Sequence, residues 1–190
     1  MHWPSRSSLI NVKNKLRLSP LTIFLLKAGA IYAGWHLLYD NILLPDGRLD
    51  TFLSLFGVRM AADALSIFGW EVESSGRILN VFSARGVEIL NGCNGLDLLG
   101  IYTGFIIAYP GPIRERLLLL AGGLLLLYFA NVFRIAVLAL SNVYYPDYWD
   151  KVHWASSYVF FYPLILGLWY IWTVISDQKT IFSAGDFSSA

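Results

Sequence analysis

The chain is poor in the residues that build metal centres and disulfides. It has one cysteine, Cys93, and three histidines. A single thiol excludes an intramolecular disulfide and a thiolate-rich metal site. His2, His36 and His153 show no HExxH or similar spacing, so neither a metal nor another cofactor is expected. Charge is also scarce, at 14% of the 190 residues, where an average globular chain has about 25%. A net charge of +1 offers no basic surface for nucleic acid, and no nucleic-acid partner is expected. No internal repeat or low-complexity linker divides the chain. What it does have is apolar residues, 56% of the total, with a mean hydropathy of +0.56. That exceeds the roughly 45–50% of a soluble domain. The composition implies an all-α integral membrane protein, with residues 1–190 forming a single membrane domain.

A helix needs roughly 20 apolar residues to span a bilayer. Four stretches are candidates: Pro20–Tyr39, about Gly95–Tyr109 (short unless it extends back to Cys93), Leu117–Leu140 and about Trp154–Ile175. The first has an Ala28-Gly29-Ala30 sequence like that of a secretory cleavage site. The apolar block before it is short and is followed by Lys27, so the stretch reads as an uncleaved anchor within a bundle over 20–175. Between the first two spans lies an insert of about residues 40–92. Its "LDTFLSLFGVRMAADALSIFGW" has apolar residues at helical spacing around Arg59 and Asp63, predicting an amphipathic helix at the interface or docked on the bundle. The following "WEVESSGRILNVFSARGVEIL" alternates and turns at Ser75-Gly76 and Arg85-Gly86, predicting a small β-hairpin. Basic residues cluster before the first span (Arg6, Lys13, Lys15, Arg17), between the second and third (Arg114, Arg116) and after the fourth (Lys179). This distribution puts both termini, 1–19 and 176–190, in the cytoplasm, and the insert and Cys93 outside.

The stretch "NGCNGLDLLGIY" sets Cys93 at the mouth of the second span. Arg134 lies roughly 26 Å up the third span, counting about 1.5 Å per residue from Leu117 across a core about 30 Å thick. His153 opens the fourth span, so a thiol, a guanidinium and an imidazole reach one depth. Asn131 shares the helix face of Arg134. Each residue also has a plainer reading. A buried cysteine packs as a small hydrophobe, an interfacial arginine snorkels, and His153 beside Trp149 and Trp154 suits a membrane-surface anchor. Their coincidence at one depth favours chemistry. A helix N-terminus or a nearby cation favours a thiolate, the nucleophilic form of cysteine. His153 then serves as proton acceptor and donor. Arg134 serves a thiolate or an oxyanion, with Asn131 or the amides around Asn94 and Gly95. Gly92 and Gly95 allow close approach of backbone and substrate. Asp97, on the face of the thiol, would oppose ionisation unless it pairs with Arg134.

"NGCNGL", "NVFR" and the late His153, in that order, resemble the exosortase/archaeosortase family of integral-membrane cysteine transpeptidases. The similarity covers roughly Arg48 to Trp172, and the "NGCNGL" wording resembles forms in Bacteroidetes-type bacteria. "HWASS" lacks the glycine that family members have a few residues after the histidine. The resemblance implies a Cys93–Arg134–His153 site on the extracytoplasmic face of the bacterial inner membrane. It also implies membrane-anchored protein substrates with a C-terminal signal of short motif, apolar helix and basic cluster. After cleavage through an acyl-enzyme, the protein would pass to a lipid or glycan acceptor at the surface. The alternative is a non-catalytic membrane subunit of a polysaccharide-export or lipid-handling assembly.

Overall fold

The computed structural model describes residues 19–82 and 84–186, with side chains described as far as residue 178. The basic cluster before the first span lies outside the described residues, as does the Lys179 side chain. Helix α1 (Pro20–Leu38) continues through a π-helical turn (Tyr39–Leu43) to Asp46. Helix α2 (Arg48–Ile67) follows, then strands β1 (Val72–Ser75), β2 (Ile78–Val81) and β3 (Val87–Glu88). Helix α3 is Leu96–Ala108 and α4 is Ile113–Tyr144. Helix α5 (Trp149–Ser156) runs through a second π turn (Ser157–Phe161) into α6 (Tyr162–Asp186).

Among the described residues three helical stretches are long and apolar enough to cross a membrane: Pro20–Asp46, Ile113–Tyr144 and Pro146–Gln178. The second expected span is shorter, because α3 has only 13 residues, about 20 Å of helix. It is preceded by a bend at residues 90–95. Irregular backbone survives inside an apolar bundle only where protein satisfies its polar groups, and in the bend protein does. The Cys93 N–H donates to Leu90 O, and the Leu96 N–H to the Asn94 Oδ1. Gly92 N–H reaches Asp50, Asn131 reaches Asn94 O and Arg134 reaches Cys93 O. Gly92 and Gly95 adopt φ of 80° and 84°, open to glycine at little cost.

Both π turns end two residues before a proline, Pro45 or Pro163. A helical proline removes one N–H and its ring crowds the carbonyl four residues earlier. A wider turn there absorbs the misfit within a continuous helix.

The amphipathic segment forms α2, which packs on α4 through Ser54, Gly57, Val58, Ala61, Ala62 and Leu65 and leaves Arg59 and Asp63 exposed. The expected hairpin gains a third strand, giving an antiparallel sheet of order β1-β2-β3. Arg77 ties it down, donating to Ile89 O at 2.6 Å, Asn91 Oδ1 at 2.7 Å and Ser54 Oγ at 3.2 Å. Two apolar cores result. One joins α2, the sheet and the C-terminal half of α4 around Val58, Leu79 and Ile135. The other joins α3, α4 and α6 around Tyr102, Leu127, Phe161 and Trp172.

Candidate active site

The site begins with a buried carboxylate. Asp50 stands in the first turn of α2 with no exposed surface. Its Oδ1 accepts from Tyr39 Oη (3.2 Å), Gly92 N (3.1 Å) and Asn94 Nδ2 (2.8 Å). Asn94 Nδ2 also donates to the Asp50 carbonyl at 3.1 Å. One carboxylate therefore grips the bend on both sides of Cys93. From α4, Asn131 Nδ2 donates to the Asn94 carbonyl at 2.9 Å. Its Oδ1 is buried without a hydrogen bond.

Arg134, one turn further along α4, is only 6% exposed. Its Nε donates to Ser156 Oγ (2.9 Å), which donates to the His153 carbonyl (2.8 Å). Its Nη1 lies 3.4 Å from the Cys93 carbonyl, a long bond, and its Cζ lies 5.8 Å from the Phe161 ring centroid. Tyr39 and Phe161 both come from π turns, so the two proline-associated distortions supply flanks of the site. His153 stacks on Trp149 with centroids 5.1 Å apart and planes at 12°, which fixes the ring in one orientation. A cavity of about 30 Å³ is bounded by Cys93, Arg134 and His153 together with Val87, Glu88 and Trp149.

The three residues singled out in the sequence thus border one small space, with Asn131 and Asn94 in the network beside it. Gly95 packs against Asn131, where an added Cβ would stand 3.5 Å from Cγ. One expectation is corrected and one open question is answered. Cys93 does not occupy the helix N-terminus: α3 starts at Leu96, and Cys93 lies in the bend before it. Asp97 does not pair with Arg134, because its Oδ1 accepts from Trp35 Nε1 on α1 at 2.9 Å. Asp50, Tyr39 and Ser156 were not foreseen. Asp50 had a visible signal, since it shares the helical face of Ser54, Val58, Ala61 and Leu65, a carboxylate on an otherwise uncharged stripe. Among the described residues no group of His, Cys, Asp and Glu is arranged to hold a metal.

A family model for transmembrane exosortases matches residues 11–170. The chain belongs to the transmembrane exosortase family. It is an integral membrane protein, and at the level of the family its role is of the membrane transpeptidase type. No curated protein matches it, and no solved structure does. In an exosortase a thiol beside an imidazole and a guanidinium has the parts for acyl transfer: a nucleophile, a proton carrier and an oxyanion partner.

Proposed function

We propose that the protein is a cysteine transpeptidase of the bacterial inner membrane that cuts the C-terminal sorting signal of exported proteins and transfers them to a surface acceptor. The observation that carries this reading is the single cavity bordered by Cys93, Arg134 and His153. Cys93 Sγ attacks the scissile carbonyl while its proton passes to His153. Arg134 holds the oxyanion; its side chain is already braced by Ser156, so little reorganisation is needed. Collapse of the tetrahedral intermediate breaks the C–N bond, and His153 returns the proton to the leaving amine. The upstream protein is left as a thioester on Cys93. A hydroxyl or amine of a lipid or glycan acceptor then gives its proton to His153 as it adds to the thioester and expels the Cys93 thiolate, forming an ester or amide. Asn131, Asn94 and Gly95 position the bend rather than react.

The active site faces the extracytoplasmic side. This orientation draws support from Arg114 and Arg116, which both lie in the first turn of α4, at the end opposite Arg134. A substrate whose basic cluster stays inside and whose helix crosses once presents its motif at the depth of Cys93.

The test uses cells expressing a tagged substrate with the tripartite signal and lacking the acceptor pathway. A hydroxylamine-sensitive, mass-shifted enzyme band is expected with Cys93 and absent in Cys93→Ala, with protein level and insertion unchanged. A membrane-impermeant maleimide should modify Cys93 from outside spheroplasts. Processing that continues in Cys93→Ala would end this reading and favour the non-catalytic subunit. Labelling only after permeabilisation would reverse the orientation.

A further inference from the structure

The cavity at Cys93 is too small to enclose its substrate. About 30 Å³ holds only about two waters, so a polypeptide must lie in an adjoining space. One exists: a polar cleft of about 1040 Å³ between the sheet and the start of α5, sharing Val87, Glu88 and Trp149 with the cavity. Strand β3 runs through both. Arg85 to Glu88 line the cleft, and Val87 to Ile89 line the cavity. The Cys93 N–H, bonded to Leu90 O at 3.0 Å, closes a turn that folds the thiol back beside the strand end.

β3 is an outer strand, and the parity of the ladder shows which of its groups are open. Phe82 N–H donates to Glu71 O, and Ile89 N–H to Arg77 O. Bonded and non-bonded pairs alternate in an antiparallel ladder. Even-numbered residues of β2 therefore bond β1, and odd-numbered ones bond β3. Val87 and Ile89 direct their main chains towards β2. Glu88, opposite Ile78, directs its N–H and C=O outwards, and neither has a hydrogen-bond partner among the described residues. The sheet has a second open edge at β1, where Val72 and Ser74 face outwards by the same parity, but β1 lines neither the cleft nor the cavity.

We propose that the substrate segment at the scissile bond binds as a fourth strand on β3, its main chain bonded to Glu88, so that its carbonyl is delivered to Cys93. This rests on the reading of Cys93 as the nucleophile. Strand addition aligns any extended chain through main-chain bonds, while alternate side chains are read by the surroundings. Here those surroundings are polar: Asn80, Arg85, Asn142 and Asp150. The edge is two residues long and carries a charge, which guards it against indiscriminate pairing.

Site-specific photo-cross-linking tests the placement, with benzoylphenylalanine at Glu88, Asp150 or Ser74 in a Cys93→Ala background that retains uncleaved tagged substrate. Adducts are expected from Glu88 and Asp150 and not from Ser74. Proline scanning supplies a second measurement, because proline on an open edge removes only the outward N–H. Glu88→Pro should lower processing about tenfold, the worth of one main-chain hydrogen bond, while Ser74→Pro keeps it. Should Glu88→Pro fail to accumulate in the membrane, the cross-links decide. Adducts from Ser74 instead of β3, or equal processing by the two proline variants, would overturn strand addition. Continued processing in Cys93→Ala would instead overturn the nucleophile, so the two failures are distinct.

Discussion

The two halves of α4 are built from different materials. Around Leu127 the helix meets Tyr102, Ile106, Phe161, Ile165 and Trp172 in an apolar core. One turn later it buries Asn131 and then Arg134. In lipid no hydrophobic force drives helices together, so close fit must hold them. The apolar half relies on such fit: a Cβ on Gly123 would overlap the Tyr102 phenol of α3. That helix itself sits so close to α1 that a Cβ on Gly100 would overlap the Trp35 indole. The second half adds hydrogen bonds to its own apolar core around Val58 and Ile135, because each buried donor left alone costs about 1–3 kcal/mol. Fit tolerates modest change at the expense of stability. A polar network loses function when one member goes, since each member holds the next.

Three substitutions probe that contrast. Arg134→Lys should have the largest effect. An ammonium lacks the planar fork that reaches Ser156, the Cys93 carbonyl and an oxyanion together. Processing should fall by about 10²–10³-fold, as when one oxyanion donor is removed, with normal insertion. Near-normal processing would reduce Arg134 to a membrane-surface anchor. Asp50→Ala comes next. It leaves Tyr39 Oη, Gly92 N–H and an Asn94 N–H without their acceptor. Processing should drop about tenfold, together with a loss of stability set by donors at about 1–3 kcal/mol each. Lower thermal stability in detergent with unchanged processing would show that the bend does not depend on this carboxylate. Gly123→Ala should have the smallest effect on chemistry. Tyr102 is fully buried and bonded to Leu119 O at 2.7 Å, so its ring cannot swing freely away. Thermal stability should fall by about 1–3 kcal/mol, the usual range for overpacking, with processing per folded molecule preserved. A proportionate loss of activity would mean that the apolar half also tunes the site.

Much of this was legible in the residue order. Hydropathy marks the long helices because the bilayer demands length and apolarity together. Helical spacing marks α2, and turn residues mark the first strand pair. Topology and rise per residue bring Cys93, Arg134 and His153 to one depth, since straight helices of known direction leave little freedom along their axes. Lateral partners were not legible in this way. Asp97 is placed one turn from Cys93 by count, yet it turns to Trp35 on α1. Ser156 gains meaning only because the chain from α5 to α6 passes close to Arg134.

The sequence by itself therefore determined the class of protein, the helices and the level at which a thiol, a guanidinium and an imidazole meet. Those properties follow from one-dimensional quantities: apolar run length and residue rise. Only the tertiary structure decided that Asp50 clamps the bend, that Cys93 precedes α3 rather than starting it, and that β3 lines the Cys93 cavity. Those depend on which face of each element meets which neighbour, and hydrogen bonds between residues such as Asp50 and Asn94 are set by three-dimensional packing that no local spacing encodes.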